Sequence, residues 1–91
     1  MNQILSINDV SRVAELRRLA VTAARDEGLD ETLTGHVGLV ATEAATNTLK
    51  HASSGYVQIS RLGERGRPGI EILAIDRGPG IGNMPQCMAD G

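Results

Sequence analysis

The sequence has no phenylalanine and no tryptophan, and Tyr56 is its only aromatic residue. Base-stacking modes of nucleic-acid binding need aromatic platforms, so they are not expected here. The core has to be aliphatic, built from Ile, Leu, Val and Ala. Cysteine is equally scarce. Cys87 stands alone, which excludes an internal disulfide and any cysteine-rich metal site, and it is expected as a small semi-buried side chain rather than a nucleophile. No charge sign dominates: nine Lys and Arg face eleven Asp and Glu, for a net charge of −2. The longest basic run is Arg17-Arg18, so a phosphate backbone has no electrostatic footprint to bind. No apolar run approaches the ~20 residues of a membrane span, and the N-terminus lacks a basic-then-apolar signal pattern. The chain reads as cytoplasmic, with neither nucleic acid nor membrane among its partners.

What is present fits one domain. A chain of 91 residues is one domain at most. It buries only somewhat over 60% of its unfolded surface, so the core is thin. Gln3 to Ile7 alternates like a short edge strand. Asn8 or Asp9 then caps a helix in which Val13, Leu16, Leu19, Ala20, Ala23 and Ala24 recur at helical spacing. Gly28 stands where a helix C-terminal glycine belongs. A second helix is predicted from Asp30 or Thr32 to about Ala52, with an apolar stripe of Leu33, Val37, Val40, Ala41, Ala44 and Thr48. Gly35 and Gly38 inside it suggest close helix packing or a late helix start. After the turn cluster Ser53-Ser54-Gly55, residues 56–62 alternate as a half-buried strand, and the glycine-rich segment 63–69 connects it to a more central strand, Ile70 to Ile75. Beyond a glycine loop, Pro85 is expected to open one turn of helix ending at Gly91.

Two segments carry chemistry. Glu43 and Asn47 are four residues apart, hence on one helix face about one turn apart. On the buried side they need partners or a ligand; an ordinary exposed polar face also accounts for the spacing. The second segment, Asp76-Arg77-Gly78-Pro79-Gly80-Ile81-Gly82, closes the central strand. The two strands before it each span roughly 20 Å, so Asp76 returns to the level where the hairpin began, beside the end of the second helix. A carboxylate there can accept a hydrogen bond from an exocyclic amine, as in adenine selection. Glycines let backbone approach a flat ring. Asn47 suits Mg²⁺, which takes few protein ligands beside phosphate and water, and Glu43, deeper in the cleft, suits a general base.

Glu43-x-x-x-Asn47 resembles the N box, and Asp76-x-Gly78-x-Gly80 the first glycine box, of the Bergerat-fold (GHKL, HATPase) ATP-binding superfamily. The strings ATEAATNTLKHA and GIEILAIDRGPGI are most similar to its anti-sigma regulatory factor branch, serine/threonine kinases of bacterial partner-switching systems of the RsbT and RsbW type. The resemblance covers roughly residues 10–91. It implies an α+β two-layer sandwich, a mixed and mostly antiparallel sheet against two main helices. It further implies that Asp76 binds the adenine amine of ATP or ADP, that Gly78 and Gly80 floor the pocket with Ile81 beside them, that Asn47 coordinates Mg²⁺, and that Glu43 is the base for phosphoryl transfer. His51 is expected to pack or support at the helix end. The implied partner is a STAS-domain antagonist, with a sigma factor or a phosphatase as further partners.

The sequence departs from the family pattern after the first glycine box, where an ATP lid and a second glycine box are expected but Asp90-Gly91 ends the chain. The expectation is therefore an incomplete Bergerat fold, the N-terminal portion of a single kinase domain, competent in binding more than in turnover. An unpaired sheet edge also makes a homodimer possible. Two alternatives stand beside the kinase: a nucleotide-binding regulatory module N-terminal to a serine phosphatase domain, and a non-catalytic interaction fragment.

Overall fold

Strand β1 (Asn2–Ser6) leads into helix α1 (Val10–Asp26), then helix α2 (Glu31–His51), strands β2 (Gly55–Arg61) and β3 (Gly69–Asp76), and strand β4 (Met84–Ala89). The computed structural model describes residues 2–51, 55–63, 67–76 and 84–89, with Asp76 and residues 84–89 described as backbone. Local chemistry sets both helices. Asp9 is the α1 N-cap and accepts from the Ser11 N–H at 2.8 Å and from the Ser11 hydroxyl. At the other end Gly28 has φ 82°. The Gly28 N–H donates to Arg25 O at 3.0 Å and the Leu29 N–H to Ala24 O at 3.1 Å, the paired bonds of a Schellman motif. Leu29 and Ala24 are both buried beneath it. Asp30 then caps α2 by accepting from the Leu33 N–H at 2.8 Å.

The sheet has the order β1-β2-β3-β4, and all its pairings among the described residues are antiparallel. The result is the expected α+β arrangement of two helices against one sheet. Val57 and Ile59 from β2 and Ile70 and Ile72 from β3 are all buried. They meet Leu16, Ala20, Ala24, Val37, Ala41 and Ala45 from the helices in one core. Each such branched side chain contributes roughly 1.5–3 kcal/mol on burial. Gly38 lies where α2 packs tightly on α1, since a Cβ there would meet Val21 Cγ2 at 3.0 Å. Gly35 has nothing within 4 Å, so close packing explains only one of the two glycines.

Residues 84–89 form a strand where one turn of helix was expected from Pro85. The register explains how proline fits. The Leu62 N–H donates to Gly69 O, so Gly69, Leu73 and their alternates bond to β2 while Ile70, Ile72 and Ala74 face β4. Pro85 stands opposite Leu73, a position whose N–H would point away from β3 in any case. The missing donor costs no ladder bond. The Ser53-Ser54 turn cluster and Cys87's expected semi-burial lie outside the described residues and side chains. Among the described residues no helix is long and apolar enough to cross a membrane.

Candidate functional site

Helix α2 buries one row and exposes another. Val37, Ala41, Ala44, Ala45 and Thr48 face the core, and Thr48 satisfies its hydroxyl on Ala44 O at 2.9 Å. The opposite i, i+4 row of Gly35, Leu39, Glu43, Asn47 and His51 is exposed along its length. Glu43 therefore does not sit deep in a cleft formed by the described residues, because the sheet takes the small-residue row instead. Neither the Glu43 carboxylate nor the Asn47 amide has a hydrogen-bond partner among the described residues.

This row ends close to the second segment. Gly55, four residues after His51, is the register partner of Asp76. Four residues reach at most about 14 Å, and Asn47 precedes His51 by one turn, about 6 Å. The Ile7 N–H also donates to Gly55 O at 2.9 Å, fixing the chain's entry to α1 at this same end of the sheet. The Asp76 carboxylate and the residues Gly78, Gly80 and Ile81 lie outside what is described. The electrostatics of this end follow from the backbone. The C-terminus of α2 carries partial negative charge, which favours amine donors and cations over anions. Lys50 and His51, both exposed in its last turn, offset part of that field. No group of three His, Cys, Asp or Glu side chains converges among the described residues. A lone amide oxygen such as that of Asn47 fits only an ion that takes its other ligands from phosphate and water.

The opposite end of the hairpin is closed by a carboxylate that sequence reasoning missed. Glu27, the C-cap of α1, accepts from Arg61 Nε at 3.0 Å and from the Gly69 N–H at 3.2 Å. Its side chain is only 6% exposed. Burial pushes its pKa up, but the Gly69 N–H, the Arg61 guanidinium and the Gly63 N–H outweigh that and hold it below the ordinary value. A signal existed. An acid at a helix C-terminus opposes the helix dipole and calls for a compensating donor.

Residues 7–89 match the histidine kinase-like ATPase domain family, a span covering most of the chain. The chain belongs to that family. Membership implies nucleotide binding, and it agrees with the two sequence boxes. The chain is also 29% identical over 79 residues to the serine/threonine-protein kinase RsbT of Bacillus subtilis (strain 168), covering 87% of this chain and 59% of that protein. This places it in the RsbT-type branch of the GHKL superfamily. The chain thus spans somewhat over half the length of the curated relative it matches. No solved structure gives a significant match. Leu39, one turn before Glu43 on the same row, is 56% exposed.

Proposed function

We propose that residues 1–91 form a nucleotide-binding domain of a bacterial, cytoplasmic serine/threonine-protein kinase. It binds ATP or ADP with Mg²⁺ and, in the complete protein, phosphorylates a serine of a STAS-domain antagonist in a partner-switching stress response. The observation that carries this reading is the exposed Glu43–Asn47 row, without a partner among the described residues, which α2 delivers to Gly55, the register partner of Asp76. Asp76 accepts the adenine amine, and Gly78, Gly80 and Ile81 form the adenine pocket. Asn47 would hold Mg²⁺, which would supply positive charge to offset that of the nucleotide's phosphates. Glu43 accepts the proton of the attacking serine hydroxyl as its oxygen bonds to the γ-phosphorus and ADP leaves.

Phosphoryl transfer rests on positioning and on donors around the triphosphate. Binding is therefore assigned to these residues, with a sigma factor or phosphatase as further partners in the switch. The Asp76-Arg77-Gly78-Pro79-Gly80 string favours one second reading, a nucleotide-binding module beside a serine phosphatase domain. Calorimetric titration with ADP and Mg²⁺ tests the site. Saturable binding that Asp76→Ala abolishes and Glu43→Ala retains is the expected result. Equal binding by wild type and Asp76→Ala would sink the assignment of the adenine pocket.

A further inference from the structure

A groove of about 290 Å³ runs along α1 and is lined by no residue of α2. One wall is a single face of α1, where Glu15, Arg18, Leu19, Thr22, Ala23 and Asp26 recur at helical spacing. The other wall is Gln3 of β1 and Arg61 of β2. Both lie on the helix side of the sheet, because Gln3 pairs with the buried Ile59 and Arg61 stands two residues beyond it. The groove thus holds two acids and two bases, and internal pairing sorts them. Glu15 is held by Arg12 at 3.3 Å, which leaves Arg18 as the open charge towards the start of α1. Arg61 is held through Nε by Glu27 at 3.0 Å, which leaves Asp26 as the open charge at the other end. Arg18 and Asp26 are both exposed and have no partner among the described residues.

The groove is therefore polarised, cationic at one end and anionic at the other. Eight residues of helix separate the two charges, about 12 Å along the axis. Between them lie the apolar surfaces of Leu19 and Ala23 and the Thr22 hydroxyl, with the Gln3 amide across from these. Neither polar side chain is hydrogen-bonded to a described residue, and an amide offers both donors and an acceptor. The helix field agrees in sign, since the C-terminal end of α1, where Asp26 lies, favours a cation. We propose that this groove binds a short linear zwitterion, a free peptide of two or three residues, with its carboxylate on Arg18 and its ammonium on Asp26. An extended chain covers about 3.3–3.6 Å per residue. With a hydrogen bond at each end, two or three residues span the two charges, and a single amino acid does not. Gln3 and Thr22 bond the peptide groups, and small side chains rest on Leu19 and Ala23. The groove's volume, at the lower end of the range for small-molecule sites, matches an occupant of this size. The open Asp26 carboxylate makes it unsuited to a phosphate.

The test uses the chain itself, with trialanine as the probe. Calorimetric titration is expected to show saturable binding of trialanine, weakened about five- to tenfold when the peptide is N-acetylated or C-amidated. Each variant is expected to remove one preference and keep the other. Arg18→Gln binds trialanine and its amide alike yet still discriminates against the acetylated peptide, and Asp26→Asn does the converse. A general disturbance of the groove would weaken all three peptides together. Melting temperatures are expected not to fall, since both side chains are exposed, and ADP affinity is expected to stay as in wild type. Failure of trialanine to saturate by about 10 mM, equal binding of alanine and trialanine, or uniform weakening of all three peptides by both variants would each overturn the proposal.

Discussion

At one end of the β2–β3 hairpin a glutamate is buried and fully partnered; near the other, along α2, a glutamate is exposed and has no partner among the described residues. Glu27 ties the α1 cap to the hairpin turn through Arg61, Gly63 and Gly69. Glu43 stands on an open row that runs towards Gly55 and Asp76. A satisfied buried carboxylate is strongly tied to the fold, because removing it strands its donors. An unsatisfied exposed one adds little to stability and is available to a ligand. The hairpin thus separates a structural end from the end proposed to bind nucleotide, about one strand length of roughly 20 Å apart.

The widest gap should appear when each glutamate is removed. On the proposed kinase reading, Glu43→Ala is expected to lower phosphoryl transfer about 10²–10⁴-fold while shifting stability by no more than about 0.5 kcal/mol. A thermal or denaturant melt beside the phosphorylation assay checks both halves, and a large loss of stability would place Glu43 with Glu27. Glu27→Ala is expected to do the reverse. It leaves the Gly69 N–H and the Arg61 guanidinium without their acceptor, at a cost of about 2 kcal/mol, with ADP affinity in the surviving folded fraction unchanged.

Acid sharpens the same contrast. Glu27's folded pKa lies below its ordinary value of 4.5, so its contribution is present above that pH and is lost as pH falls through the folded value. Wild type is therefore expected to lose stability more steeply below about pH 4.5 than Glu27→Gln, and parallel urea midpoints across that range would remove this assignment. The smallest effect concerns the two glycines of α2. Gly35, on the open row, has space around it, so Gly35→Ala is expected to gain about 0.5–1 kcal/mol. Gly38→Ala meets Val21 Cγ2 and forfeits that gain.

Much of the fold was legible because its signals are local. The Asp9 cap, the Gly28 terminus and the apolar rows of α1 and α2 depend on neighbours within a few residues, and the structure has each of them. The return of Asp76 to the start of the hairpin was also legible, since strand rise and equal strand lengths suffice to place it. Pro85 misled for the same reason. Its helix-opening signal is local, while its tolerance in β4 depends on which N–H groups face β3, a property of the register. Glu27 was missed because its meaning lies in what surrounds it across the fold.

The sequence by itself determined the family, through Glu43-x-x-x-Asn47 and Asp76-x-Gly78-x-Gly80, and the positions of the helices, through caps and periodicity. Tertiary structure alone decided which row of α2 the sheet would cover, and so that Glu43 and Asn47 stand open. It also decided that Glu27 would be buried against the hairpin turn, and that Gln3 and Arg61 would wall a groove along α1. Burial and groove walls come from packing between segments distant in the chain, and no local pattern encodes them.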